Sequence, residues 1–363
     1  MSSNIRALAI ICHRRGKEGR QFFSSQMGVW DQFSQNFCKF FSDSTPESFN
    51  REKDSVLEQL SNWDTKLGIR ATALGEDDYP WILAQVSDPP PIIFYQGELS
   101  LCSKKQGVAV VGSRKASAEG CQIARDFGFA FALNGINVIS GLAYGIDAAA
   151  HQGALKGSDS STTAVLGGGL SKIYPAQNRS LADKILNSGG VLLSQFEPEQ
   201  LPRPHQFLDR NRVVSGLSSG VVIVQAAKRS GALSTANHAL EQGREIFAIP
   251  GSICSPLHAG CNKLIRDGAG LVSSPADVME ALQVCVAPNI EENRPTKAGV
   301  DQELKPLLQY IAQEQPVALT NLMEDFKLAQ LHQFLLKLEL AELIIYEPGG
   351  KYRATQKGVC QLG

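Results

Sequence analysis

Apolar residues follow two different patterns along the 363-residue chain. Over residues 1–76 they recur at helical spacing, with Phe22, Phe23, Trp30, Phe33, Phe37, Phe40 and Phe41 set among polar positions and no Gly-rich loop. This predicts a small helical, SAM-like domain whose aromatics form its own core rather than a stripe for stacking bases. Between Asp77 and Leu99, prolines at 80, 89, 90 and 91 exclude a helix and predict an extended segment packed on the next domain. From Gly107 to about Ala281 the pattern changes to short apolar runs near Val108–Val111, Asn137–Ser140, Thr162–Leu166, Gly190–Leu193, Val221–Val224 and Glu245–Ile249. Helical stretches or long loops separate them. Strands alternating with helices predict an α/β domain over residues 77–285, with a Rossmann-like, doubly wound and mainly parallel sheet. Residues 286–300, polar and Pro-containing, read as a linker. Residues 301–363 show apolar helical spacing at Leu304–Ile311, a second start at Thr320 and a third helix around Leu328–Ala341. They then carry LIIYEPGGKYRAT, two short runs about Gly349-Gly350. Three helices and a hairpin predict a winged-helix domain.

Chemistry concentrates where the central strands end. VAVVGSR, Val108–Arg114, runs into Gly112-Ser113-Arg114 and then towards a helix. A helix N-terminus, a close backbone approach at Gly112, the Ser113 hydroxyl and the permanent Arg114 cation together favour a phosphate. Similar Gly-rich turns come after the other runs, at Ser140–Asp147, Gly167–Asn178, Ser230–Arg244 and Ile249–Ser252. They predict one extended anion-binding surface rather than a closed pocket.

Charge narrows the choice of partner. The formal net charge is −1 and the sequence pI about 6.6, so a polyanion must be held by a local basic patch. Residues 301–363 carry a net of −2, including Glu339 and Glu342 on the expected third helix, which favours a protein-contact or weak DNA role over sequence-specific duplex reading. The eight cysteines are scattered without a C-x-x-C pair or zinc-ligand spacing, as in a reducing cytosol. The N-terminal apolar patch precedes its basic cluster, the reverse of a secretory signal, and there is no 18-residue apolar run. A soluble cytoplasmic protein without membrane insertion is expected.

Two enzyme classes compete for the same sheet. A redox dinucleotide enzyme needs G-x-G-x-x-G and a ribose-binding carboxylate about 20 residues on. Here the turn is G-S-R-K-A-S and the second run ends in Ser140-Gly141. A nucleotide-handling hydrolase related to phosphoribohydrolases would use P-G-G-x-G-T-x-x-E, and SGALST at Ser230–Thr235 is a related turn opening a helix. Its Glu241, however, lies six residues past Thr235 rather than three. His151, His205, His238 and His258 stand isolated, and no cofactor, metal or catalytic residue is expected.

Taken in order, GSR, SGLAYGID-AAAHQGAL, LGGGLSKIYPAQN, FLDRNRVVSGLS, SGALSTANHALEQGREIFAIPG and GCNKLIRDGA closely resemble the DprA/Smf family of DNA-processing proteins, over about Tyr79 to Ala281. The resemblance implies a homodimer that binds single-stranded DNA without sequence preference, loads the RecA recombinase during natural transformation and catalyses nothing. It implies that Gly112, Ser113 and Arg114 grip a backbone phosphate and that Arg210, Asn211 and Arg212 line the same groove. It further implies that Phe207 stacks on a base, and that Ser140, Gly141, Ser230, Gly231 and Lys263 contribute further anion contacts. A buried scaffold role for Arg210 and a core role for Phe207 remain open. The chain departs from the family pattern in Leu208 and Asp209 of FLDRNR, in Gln225 of Val-Gln-Ala and in Gln195 after Ser194.

Overall fold

The computed structural model describes residues 2–28, 30–157 and 162–284, and beyond them 304–313, 316–318, 321–322, 331, 334–335, 337–339, 343–347 and 351–355. The chain divides into two compact units, residues 1–286 and 287–363. Among the described residues no helix is long and apolar enough to cross a membrane.

The first unit opens with α1 (Ser2–Arg14), α2 (Gly16–Ser25), α3 (Phe33–Phe40) and α4 (Pro46–Leu67). Local chemistry sets the ends of α4. Thr45 and Ser48 form a capping box, Pro46 supplies the preset φ of the first turn, and Gly68 closes the helix at φ 61°. The expected aromatic core is present, with Phe22 edge-on to Phe33 and Phe37 at 5.4 and 5.7 Å. That core is continuous with the main sheet, of which β1 (Arg70–Ala73), just before the boundary expected at residue 76, is an edge strand. Trp63 of α4 meets Phe94 edge-on at 5.5 Å.

The proline-rich segment differs from expectation in one respect. Between Pro80 and Pro89 it makes a single helical turn, α5 (Trp81–Ala84), before β2 (Ile92–Gly97). Pro80 is the N-cap of that turn, where its missing N–H leaves no hydrogen bond unmade. After α6 (Leu101–Lys104) the α/β alternation runs as expected: β3 (Gly107–Val111), α7 (Ala118–Leu133), β4 (Asn137–Ser140), α8 (Ile146–Ala154) and β5 (Thr162–Val165). Then come α9 (Arg179–Asn187), β6 (Val191–Ser194), α10 (Pro204–Gly216), β7 (Gly220–Ile223), α11 (Gly231–Glu241) and β8 (Glu245–Ala248). The unit ends with α12 (Ala259–Arg266), β9 (Gly270–Leu271) and α13 (Pro275–Ala281).

The sheet order is β1-β2-β6-β5-β4-β3-β7-β8-β9. The seven strands from β6 to β9 are parallel; β2 adds antiparallel to β6, and β1 antiparallel to β2. Alternate residues serve opposite faces, as the strand period of two requires. Val108, Val110, Val138 and Val222 pack with Phe127 and Phe131 of α7. Ala109, Val111, Ile139 and Ile223 belong to the other core, with Val213 of α10, Ala236 of α11 and the N-terminal helices. From β3 the chain first winds outward through β4, β5 and β6, then returns to β7 on the other side. The switch point of this doubly wound sheet therefore lies between the C-terminal ends of β3 and β7, where the loops leaving the two strands diverge and open a crevice.

In the second unit, α14 (Lys305–Gln313) contributes Leu307, Leu308 and Ile311 to a small core with Leu343 and Ile344. Strands β10 (Val317–Ala318), β11 (Ile344–Glu347) and β12 (Lys351–Ala354) form an antiparallel sheet in the order β10-β12-β11. The linker expected at 286–300, the Gly349-Gly350 turn and most of the second and third expected helices lie outside the described residues.

Because Phe94 joins the N-terminal helices to the sheet, Phe94→Ala is expected to cost about 3–5 kcal/mol. Urea unfolding should show one transition at lower midpoint, with hydrogen exchange speeding up in both α4 and the sheet. Exchange confined to β2 would show that the helices and sheet are not one core.

Candidate nucleic-acid interface

An open cleft of about 800 Å³ occupies the switch point. Its walls come from the loop after β3 (Gly112, Ser113, Arg114, Lys115), the loop after β4 (Gly141, Ala143), one face of α10 and the start of α11. Among the described residues four cations line it, Arg114, Lys115, Arg210 and Arg229, against one carboxylate, Asp147. It is a local basic patch on a chain of near-neutral net charge.

The β3 loop is held by Gln225, just beyond β7. Its carbonyl accepts the Ser113 N–H at 2.7 Å, its side-chain oxygen accepts the Ser117 N–H at 3.0 Å, and its amide donates to Ser117 Oγ at 2.8 Å. A carboxylate at 225 could only accept here, with the Ser117 hydroxyl turned to donate. Gly112 is required here, since a Cβ would lie 2.6 Å from Ile146 and 2.9 Å from the Gln225 carbonyl. Arg114 extends from this loop into solvent, and among the described residues no carboxylate lies within 4 Å of it. Its guanidinium stands 5.0 Å from the centroid of the Phe207 ring.

Helix α10 divides its residues by face. Phe207, Arg210, Asn211 and Val214 obey the i, i+3, i+4, i+7 rule and all line the cleft. Arg210 is only 4% exposed and serves as a clamp: its Nη1 donates to the carbonyls of Gly141 and Val165, the latter at 2.6 Å, at the ends of β4 and β5. Burial pushes its pKa down to about 10, against the opposing pull of Asp147, so it stays charged at neutral pH. Of the two readings of Arg210, the buried scaffold is the one its geometry meets. Asn211 accepts from Arg210 Nε at 3.2 Å and donates to the Gly231 carbonyl at 3.2 Å, tying α10 to α11.

Arg212 does not share this groove. Two residues along a helix turn a side chain roughly 200°, and Arg212 points to the opposite side. There it donates to the Asp88 carbonyl and, at 2.9 Å, to Gln195 Oε1. The departure at 195 thus leaves Arg212 a neutral partner, while Asp88 supplies the charge at 3.6 Å. Lys263 is likewise outside the cleft, exposed on α12 with Asp267 at 4.0 Å.

Two of the helix N-termini differ from expectation, because α7 and α11 each carry a side-chain acceptor of their own, whereas α8, entered through Gly145, has none. Helix α7 starts at Ala118, four residues beyond Arg114, and Ser117 Oγ caps it at the Gly120 N–H, 3.0 Å away. The turn before α8 is filled by the buried Asp147 carboxylate, which accepts the N–H groups of Gly141 and Ala143 at 3.1 and 3.4 Å. Burial raises the Asp147 pKa, in spite of Arg210 and these two bonds. Ser230 Oγ accepts from the Ala232 N–H of α11 at 3.3 Å, and Ser140 Oγ, fully buried, donates to the Val110 carbonyl at 2.7 Å. Ser230 and Gly231 line the cleft and Ser140 does not. Arg114, Lys115 and Arg229 add side-chain charge beside these helix starts.

Several lining residues carried no signal of their own in the sequence. Lys115 and Arg229 adjoin Arg114 and Ser230, and Tyr174 lies inside the LGGGLSKIYPAQN motif, yet nothing in residue type or spacing distinguishes them. Tyr174 touches the Phe207 ring, with 5.6 Å between centroids.

This architecture has relatives. The sequence profile of the family described as DNA recombination-mediator protein A matches residues 70–283, more than half of the chain. The chain belongs to this family. Among curated proteins it is 41% identical to Protein Smf of Escherichia coli over 281 residues, 76% of this chain and 75% of that protein. It is 40% identical to DNA processing protein DprA of Bacillus subtilis over 215 residues, 59% of this chain and 72% of that one. The X-ray structure of DprA from Streptococcus pneumoniae superposes with a TM-score of 0.62 at 33% identity, over 77% of this chain and 94% of that chain. DNA processing protein A of Helicobacter pylori, whose structure is described for its single-stranded DNA binding mode, gives 0.53 at 28% identity over 59% and 95%. Within this recombination-mediator family the acidic departure, Asp209, falls on the exposed side of α10 and does not line the cleft.

Arg212→Ala is expected to cost about 1.5–3 kcal/mol of stability, the range for hydrogen bonds to a charged group, without altering the cleft. It should also change the acid limb of unfolding. Burial by itself would raise the Asp88 carboxyl, but the Arg20 hydrogen bond and the Arg212 and Arg20 charges hold it below the usual range. Its stabilisation is complete above the unfolded value of about 3.9 and is lost as pH falls through the depressed one. Thermal melts from about pH 2 to 7 should therefore show a shallower acid limb in Arg212→Ala; an unchanged limb would exclude the pairing.

Proposed function

We propose that this chain binds single-stranded DNA in the switch-point cleft, independently of sequence, and delivers it to a RecA-type recombinase during DNA uptake. One observation carries the reading: an exposed guanidinium with no carboxylate beside it stands 5.0 Å from an aromatic centroid, in an open basic cleft. A phosphate needs the first and an unpaired base the second. The H. pylori protein's single-stranded DNA binding mode and the family's recombination-mediator description support it. The recombinase contact, the pairing of two copies and a cytoplasmic location are carried by the family resemblance.

The action is binding without catalysis. Asp147, the one carboxylate among the described residues that line the cleft, is buried and accepts two backbone N–H groups. Glu241, the nearest counterpart of a hydrolase carboxylate, is exposed on α11 with His238 at 3.5 Å and does not line the cleft.

Arg114→Ala is expected to weaken oligo-dT binding roughly 10- to 150-fold, the equivalent of one charge-assisted contact. It should reduce the slope of log affinity against log salt by about 0.7, one single-strand phosphate contact. Filter binding over a salt series, with duplex DNA as comparison, measures both. Unchanged oligo-dT affinity would overturn the assignment, and mononucleotide turnover abolished by the same substitution would mean a nucleotide-handling hydrolase instead.

A further inference from the structure

Phosphate contacts alone do not separate single strands from duplexes, since both offer phosphates. Discrimination must come from groups that take an unpaired base. On the cleft's rim, the loops after β4 and β5 each present an aromatic ring to solvent. Tyr144 is 40% and Tyr174 50% exposed, and unlike the exposed rings of Phe40, Trp81 and Phe129 they lie beside the cleft. With Arg114, Gly141, Ala143, Pro175 and Phe207 they surround a small hollow of about 30 Å³. It is too small to take in a nucleobase, so a base would lie across it, face against a ring.

These rings are fixed in place. Asn178 Nδ2 donates to the carbonyls of Leu142 and Ala143 at 2.8 and 3.3 Å, stapling the β5 loop to the β4 loop. Leu142 itself, buried, is held at φ 54°, a left-handed conformation that a leucine adopts only where its surroundings impose it. The Tyr144 hydroxyl donates to Gln177 Oε1 across the same junction. Tyr174 then lies against Phe207 at 5.6 Å with the rings tilted by 52°, and Phe207 carries Arg114 on its other contact. The spacing leaves no room for a base between the two rings, so they form consecutive surfaces rather than the jaws of a clamp.

We propose that Tyr174 extends the Phe207 surface into a platform for a second unpaired base, and that this platform, rather than the phosphate contacts, makes the site reject duplex DNA. Tyr144 is the positioning residue that, with Asn178, fixes the platform's outer edge. The inference rests on the single-strand reading above and adds which residues set its selectivity.

The test compares three probes of equal length: oligo-dT, an oligomer of abasic spacers and a duplex. Tyr174→Ala is expected to lower oligo-dT affinity roughly 5- to 150-fold, as loss of one base–aromatic stack does. Abasic affinity and the salt slope should stay unchanged, and preference over duplex should fall by the same factor. Tyr174→Phe should retain wild-type values, which separates ring stacking from any loss of fold. An equal loss on oligo-dT and abasic probes, or no loss on oligo-dT, would overturn the platform. Arg114→Ala in parallel keeps the two readings apart. If it weakens both oligomers while Tyr174→Ala alters neither, the platform fails and the single-strand site stands; if the wild type binds oligo-dT no better than duplex, the single-strand site fails first.

Discussion

Everything at the cleft depends on one buried cation. The guanidinium of Arg210, on α10, closes onto the carbonyls of Gly141 and Val165, two strand ends whose acceptors would otherwise point into the crevice. A buried charge is costly unless hydrogen-bonded and balanced, and here Asp147 supplies the balance while capping the neighbouring turn. With this clamp in place, α10 is set so that Phe207 faces the crevice and meets Arg114. The scaffold arginine and the exposed arginine thus have separate tasks, one building the surface and the other presenting charge on it.

The cleft carries positive charge on side chains, and part of its backbone N–H set is already used. Ser117 and Ser230 each satisfy a donor at a helix start, Asp147 accepts two N–H groups of the loop before α8, and Gln225 locks the β3 loop through both donor and acceptor atoms. A nucleotide pocket of the dinucleotide type uses free N–H groups at a helix start to enclose one pyrophosphate. Here an open cleft with long cationic side chains and flat rings suits a chain of phosphates and bases that passes across it.

The alternating α/β architecture and the position of the β3 loop were legible in the sequence, because buried parallel strands are short apolar runs between Gly-bearing turns. Arg114 and Phe207 were legible through motif resemblance. What stayed hidden is long-range. Gln225 reaches Ser117 across 108 residues of sequence, and Arg212 finds Asp88 across 124; neither leaves a local pattern. The common groove assigned to Arg210 and Arg212 needed only helix geometry to correct it. Tyr174 sits in an irregular loop where periodicity has nothing to say, and β1 is too short and too close to α4 for its apolar residues to separate from helical ones.

Gly141 and Gly167 tie the interior shape of the site to the side chains of α10. A Cβ at 141 would collide with the Arg210 guanidinium, and one at 167 would come within 2.7 Å of the Phe207 ring. Each glycine is the empty half of a contact whose filled half lies on α10. A larger residue in the loop obliges the side chain opposite to shift, and a smaller one on the helix leaves a void beside the glycine. Such couples make two distant stretches of sequence one packing problem, and they join the surface of the cleft to the strand ends beneath it.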